Sequence, residues 1–354
     1  MKLNELFLYA AFLFALMCFV AGCSKSQPSQ SDGDGREPVP GTMELVSQVE
    51  TGAIVGLAEI SGDILITTTQ PGSYGGTYSI RLYSISDPEN PSLLATYPSG
   101  SFPSFIMGMD VLGDVLYVTA FNKLYVIDIS NPSSPLQLGE MSFSSQPYCV
   151  SVGDGVAFVG FVSANGVAVD VSNPSDMNTI SDLPVQFTCC DYRGGVLYCA
   201  PSTSQIYALD VSTPDNPTIT QNGSTGGQNL DIEAADNGLI YVAGGTAEGT
   251  NNAVFAVLMA DDIDSVVYLD VQENLAAARV ARQDHFAYVL MRPQGGYDYS
   301  LRTYFVYDAD SISLAFDPHS VLSANDVAAG NGYVYVTSRG ESDEGLIYIF
   351  KHSY

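Results

Sequence analysis

Positive charge is what this chain has least of. Twelve lysines and arginines stand against 39 aspartates and glutamates, a formal net charge of −27 at pH 7. Beyond residue 23 the only lysines are Lys25, Lys123 and Lys351. Such a surface repels polyanions, which excludes nucleic acid as a partner. It suits solubility in a salty medium or the binding of divalent cations such as calcium, and both stay open. No other cofactor is expected.

Catalytic signatures are as scarce. Histidine occurs only at His285, His319 and His352. There is no G-x-S-x-G, H-E-x-x-H, Walker-type loop or dinucleotide fingerprint. His285 falls in a hairpin turn and His352 close to the C-terminus, which points to solvated structural positions. Metal and redox patterns are missing too: no C-x-x-C, no C-x-x-C-H and no Cys/His spacing typical of zinc.

The chain opens on an apolar run, "LFLYAAFLFALMCFV" (6–20), preceded by Lys2 and leading into "VAGC" (20–23). Ala21 and Gly22 directly before Cys23 resemble the bacterial lipobox, at which the cysteine is lipidated and becomes the mature N-terminus. The resemblance implies a lipoprotein signal peptide over 1–22 and a membrane anchor on Cys23. Ser24 in place of Asp implies sorting to the outer membrane, on a face the sequence does not name. Residues 24–41, "SKSQPSQSDGDGREPVPG", hold almost nothing apolar. Such a segment cannot offset its ordering entropy by burial, so 23–41 reads as lipidated cysteine plus flexible tether. Residues 42–354 are left as the globular body.

What the chain has in abundance is a repeat. "LYVIDISNPSSPLQLG" (124–139) returns as "LYSISDPENPSLLA" (82–95), "VAVDVSNPSDMNTI" (167–180) and "IYALDVSTPDNPTIT" (206–220). A hairpin travels with it, as in "GDVLYVT" (113–119), "GGVLYCA" (194–200) and "NGYVYVT" (331–337). The central large residues of the seven hairpins are Ile66, Tyr117, Phe158, Tyr198, Tyr241, Tyr288 and Tyr335, spaced 40 to 51 residues apart. A period of this size built only of short strands predicts a β-propeller.

Each unit then reads as four strands, with the Asp-x-Ser-x-Pro corner between the third and the fourth. Asp, Asn and Ser bond their own backbone at such corners, and Pro fixes φ. Pro91, Pro135 and Pro217 open the outermost strand, an edge position where a missing N–H costs little. The fifth and sixth units keep strand, acidic corner and strand without the proline. The seventh stops after its third strand, "GLIYIFK" (345–351), while "TMELVSQVE" (42–50) stands orphaned before the first hairpin. The expectation is an all-β, seven-bladed propeller of four-stranded blades, its ring closed by the N-terminal strand completing the last blade.

The segments "LYVIDISNP" (124–132), "VAVDVSNP" (167–174) and "YALDVSTP" (207–214), each with its G-x-x-Y-V-like hairpin, resemble the LVIVD repeat. The resemblance runs over essentially all of 43–351 and is strongest in the second to fourth units. It implies a propeller in a bacterial or archaeal surface or exported protein. It brings no established activity and no catalytic residues.

Four cysteines lie in the body: Cys149, Cys189, Cys190 and Cys199. In an oxidising compartment they would supply one or two disulfides. Cys190 and Cys199 flank a turn at Gly194–Gly195, and Cys149 and Cys189 hold similar positions in successive units. Either pairing is open, as are four free thiols.

Two places could carry function. The innermost strands hold Glu59, Asp110, Asp231, Glu233 and Asp326, which could converge on a central channel as glycosidase carboxylates or cation ligands; in the plainer reading they are simply solvated. The other place is one face of the ring. Loops between second and third strands are short in units two to four and long in units five, six, seven and one, at 244–252, 292–302, 338–345 and 68–79. These form a contiguous crest bearing Tyr74, Tyr78, Glu248, Tyr297, Asp298, Tyr299, Glu341, Asp343 and Glu344. Tyr on Gly-rich loops is a common binding chemistry.

The expectation for function is a lipid-anchored envelope propeller acting as a non-catalytic binding or scaffold module for envelope proteins or glycans. The alternatives are a glycoside-cleaving enzyme using channel carboxylates, and a part in outer-membrane protein assembly by analogy of fold alone.

Overall fold

Strands whose two faces are both buried should read as unbroken apolar runs, and strands facing solvent as alternating ones. Val115–Ala120 (VLYVTA) is buried from Leu116 onward, whereas Leu136–Ser142 (LQLGEMS) is exposed or half-exposed throughout. The two are the second and fourth strands of one sheet, and the contrast recurs around the molecule. The computed structural model describes residues 41–353 apart from 71–77, 103–104, 226–227, 246–251, 274, 294–297, 309–310 and 341–342. The expected signal peptide, the expected lipidation site Cys23 and all of the expected tether but Gly41 therefore lie outside the described residues.

The described residues form seven four-stranded antiparallel sheets. The first blade comprises Ile54–Ser61, Ile64–Gln70, Tyr78–Ser84 and Ser92–Phe102, in sequential order. The next five blades repeat this order. The last comprises Ala324–Gly330, Tyr333–Ser338 and Leu346–Ser353, and its fourth strand is Thr42–Glu50. That strand pairs antiparallel from Thr42 opposite Ser353 to Glu50 opposite Leu346, as expected of the orphan. Each innermost strand touches the next, and Ala324–Gly330 touches Ile54–Ser61, so the ring is closed.

The core is divided among the blade interfaces. Between the fifth and sixth blades it contains Tyr241, Phe255, Val289 and Tyr304; between the seventh and first, Tyr335, Ile347, Val55 and Leu65. All seven central hairpin residues are buried. The acidic corner does what its composition predicts. Asp128, Asp170 and Asp210 each accept the N–H of the serine two residues on, at 2.8, 3.0 and 3.0 Å. Serine hydroxyls add a second bond at Asp170 and Asp210, both 2.6 Å. These hydrogen bonds hold the three carboxyls below the usual aspartate range.

One expectation about histidine changes. His352 is buried rather than solvated: its Nδ1 lies 2.7 Å from the Tyr288 hydroxyl and its ring packs 4.2 Å from Phe286. Burial lowers its pKa to about 4. The last strand carries it back into the interface between the sixth and seventh blades.

Candidate functional site

The seven innermost strands line a central channel that encloses a cavity of about 440 Å³. Register decides which side chains enter it. Opposite the central hairpin residues stand Glu59, Asp110, Ser151, Asp191, Glu233, Ala281 and Ala328. Nearer the end from which the second-to-third-strand loops emerge come Cys149, Cys189, Asp231, Arg279 and Asp326. All five acids expected on the innermost strands are there. A sixth, Asp191, was overlooked, although its position opposite Tyr198 matches that of Asp110 opposite Tyr117. The arginines Arg193, Arg279 and Arg282 were overlooked as well.

The aspartates are not simply solvated. Asp110 accepts the N–H of Val111 (2.7 Å) and, across the interface, that of Val152 (2.6 Å). Asp231 does the same for Ile232 (3.2 Å) and Val280 (2.9 Å), and Asp326 for Val327 (2.9 Å) and Ala58 (3.0 Å). Asp191 accepts the Ala234 amide at 2.7 Å, and in the third blade Ser151 Oγ accepts that of Tyr192 at 2.9 Å. An inner-strand side chain thus binds the following blade at five interfaces. At a sixth, Arg279 pairs with Asp326 at 3.4 Å, and Arg282 reaches back to Glu233 of the fifth blade at 3.3 Å.

Amide donors favour an ionised carboxylate, but removal from bulk water opposes it, and here burial wins. It lifts Asp110 and Asp326 to about 7, Asp191 to about 6 and Glu233 to about 8. Asp231 is raised by burial too. Glu59 is pushed well above its ordinary value, first by burial and then by the charges of Asp110, Asp326, Glu233 and Asp231. The result is a ring of carboxyls whose ionisation is held back by burial. Among the described residues, no three His, Cys, Asp or Glu side chains converge as metal ligands.

The crest is only partly visible. Tyr74, Glu248, Tyr297 and Glu341 lie outside the described residues. Tyr78 opens a strand and its ring stands 4.8 Å from Phe105 of the next blade's approach loop. Asp298 and Tyr299 also belong to a strand, since Asp298–Asp308 takes up much of the supposed 292–302 loop. Asp343 pairs with Arg339, and the Glu344 carbonyl accepts the Thr51 hydroxyl at 3.4 Å. On the same face, beside the short loops, Phe105, Phe121 and Val162 are more than half exposed and Tyr148 over a third. Their exposure was not legible in the repeat, because each sits where the motif is at its least regular.

All four body cysteines are free thiols. Cys190 does stand opposite Cys199 in register, but neither expected pairing is formed. A third pair does approach: Cys190 Sγ lies 3.5 Å from Cys149 Sγ in the preceding blade.

Blades, channel and closure define a seven-bladed β-propeller. The LVIVD repeat model matches residues 107–141 and 149–182, the second and third blades. No curated protein matches the chain. Among solved structures, the Pan2 WD40 domain of Neurospora crassa is similar at 12% identity, covering 87% of this chain and 95% of that one with a TM-score of 0.64. The Cps50 (Swd1) β-propeller domain of Myceliophteria thermophila is similar at 12% identity, covering 86% and 98% with a TM-score of 0.61. The computationally designed Ika8 protein is similar at 10% identity over 88% and 100%, TM-score 0.56. At such identities the likeness is one of fold.

Proposed function

We propose that this propeller is a non-catalytic binding or scaffold module held at the cell envelope by a lipid on Cys23, with the outer membrane as its site. Its partner, an envelope protein or a glycan, docks on the face that carries the loop crest. One observation supports this most. Phe105, Phe121, Tyr148 and Val162 expose apolar surface on the very face that bears Tyr78, Asp298 and Asp343. An apolar patch rimmed by polar groups is the anatomy of an interaction surface. Engagement of four channel aspartates in hydrogen bonds to backbone amides also speaks against their use as catalysts.

The test is cross-linking on intact cells followed by mass spectrometry. Recurrent envelope proteins linked through 68–79 or 292–302, and lost on Phe105→Ser or Phe121→Ser, are the expected outcome. Lipid and self-links alone, or captures unchanged by deleting 72–77 and 292–302, would sink it.

A second reading rests on Glu59 and Glu233. Glu59 accepts no hydrogen bond among the described residues, and Glu233 has only its arginine. Raised carboxyls lining a cavity are general-acid chemistry of the kind a glycosidase uses. Turnover on a glycan panel that vanishes in Glu59→Gln or Glu233→Gln would favour this enzyme over the scaffold.

A further inference from the structure

We propose that Cys149 and Cys190 form an inter-blade disulfide, making the channel wall a thiol-oxidation site. Their sulfurs stand 3.5 Å apart across the interface between the third and fourth blades, though the residues are 41 positions apart in sequence. A disulfide bond is about 2.05 Å long, so the sulfurs must close by roughly 1.5 Å.

Packing favours this pair over the alternatives. Gly160 makes room for the Cys149 side chain: a Cβ there would lie 2.6 Å from its Sγ. Phe187 closes the same pocket, since that Cβ would also lie 2.5 Å from its ring. Both Cys149 and Cys190 are half-buried and line the central cavity; Cys189 lines it too but is buried, and Cys199 is wholly buried and absent from the lining. Access through the channel thus disfavours Cys199, and the 3.5 Å sulfur contact selects Cys149 and Cys190 among the three cysteines that line it.

The chemistry needs an oxidant, and a small organic disulfide supplies it. The Cys149 thiolate attacks one sulfur of the reagent, forming a mixed disulfide and expelling one thiolate. Burial, with the Cys149 side chain beside it, pushes the Cys190 thiol well up; the exchange is written here from Cys149, and the product is the same from either end. Cys190, giving up its proton, then attacks the Cys149 sulfur and expels the second thiolate. One protein S–S bond forms and one reagent S–S bond breaks. Two electrons pass to the reagent, and the two protons end on its thiols. A neutral reagent suits a channel lined by both carboxyls and arginines, since its entry does not depend on their charge.

The experiment treats the full chain in mild detergent with 2-hydroxyethyl disulfide, blocks residual thiols and maps the linkage. Trypsin is of no use, since no Lys or Arg lies between Lys123 and Arg193. Cleavage at aspartate separates the candidates, because Asp154, Asp170, Asp176 and Asp182 divide Cys149 from Cys190 and Asp191 divides Cys190 from Cys199. The expected product links the peptides of Cys149 and Cys190. It survives Cys189→Ser and Cys199→Ser and disappears in Cys149→Ser and Cys190→Ser. Oxidation should also raise the melting temperature by roughly 5 °C, reversed by a phosphine reductant. A Cys190–Cys199 link, or full alkylation of Cys149 and Cys190 after treatment, would overturn the proposal.

Discussion

Asp326 accepts the Ala58 amide at 3.0 Å, joining residues 268 positions apart across the seam where the ring closes. The other oxygen of the same carboxyl holds Val327 N–H at 2.9 Å and faces Arg279 at 3.4 Å. Removing such a group leaves two amides and a guanidinium short of an acceptor, and unsatisfied buried donors are expensive. Asp326→Ala should cost about 3 kcal/mol of stability in urea unfolding. Asp326→Asn keeps one acceptor oxygen and should cost less than half as much. Equal stabilities for all three proteins would mean that the seam bond has no energetic role.

Acidity should stabilise this propeller between neutral and mildly acidic pH, the reverse of a protein held by carboxylate ion pairs. Asp191, Asp110, Asp326 and Glu233 have folded values of about 6, 7, 7 and 8, against ordinary values of 3.8 for the aspartates and 4.5 for the glutamate. The folded state therefore binds more protons than the unfolded one in that window, and stability falls as pH rises through it. His352 acts oppositely. Its folded value of about 4 lies below the ordinary 6.5, so its contribution is present above 6.5 and is lost as pH falls towards 4. Denaturant midpoints measured from pH 4 to 9 should peak on the acid side of neutrality. Glu233→Gln should flatten the alkaline limb; a midpoint rising steadily from pH 5 to 8 contradicts the account.

What the sequence made legible, and what it did not, follows from the range of each interaction. The corner at Asp128 was readable because its hydrogen bond spans two residues and recurs at Asp170 and Asp210. Ring closure was readable because Thr42–Glu50 had no other partner. Channel contents were half-readable: Glu59, Asp110 and Glu233 announce themselves by charge on an apolar strand, yet Asp191 hid beside two cysteines. Arg279 and Arg282 could not be assigned to Asp326 and Glu233, since those pairs depend on how one blade is set against the next. The approach of Cys149 to Cys190 was hidden for the same reason. Local hydrogen bonds repeat with the motif; inter-blade contacts arise only once the blades are packed.

Two glycines should separate steric from conformational roles. Gly139 lies on an outer strand pressed against the next blade's corner, where a Cβ would come within 1.7 Å of the Pro174 carbonyl oxygen. Gly139→Ala must push two blades apart and should cost about 2–3 kcal/mol. Gly113 has nothing within 4 Å but a φ of +60°. Gly113→Ala should cost only about 1 kcal/mol, from backbone strain alone. Thermal unfolding of the two variants checks the ranking, and a costlier Gly113→Ala would reverse the assignment of roles.

Closure by the N-terminal strand carries the most visible consequence. Thr42–Glu50 covers the last edge of the seventh blade and brings Met43 into the core shared with Phe350, Tyr348 and Leu301. Without it, Leu346–Ser353 becomes an exposed edge presenting unpaired amides and carbonyls, a template for pairing with another molecule. A variant lacking residues 42–50 should therefore self-associate as well as lose stability. Light scattering should show oligomers, and adding a synthetic peptide of sequence TMELVSQVE should restore monomers by occupying the vacant edge. A stable monomer without the peptide would show that the seventh blade holds with three strands, and that the ring depends on its inter-blade bonds instead.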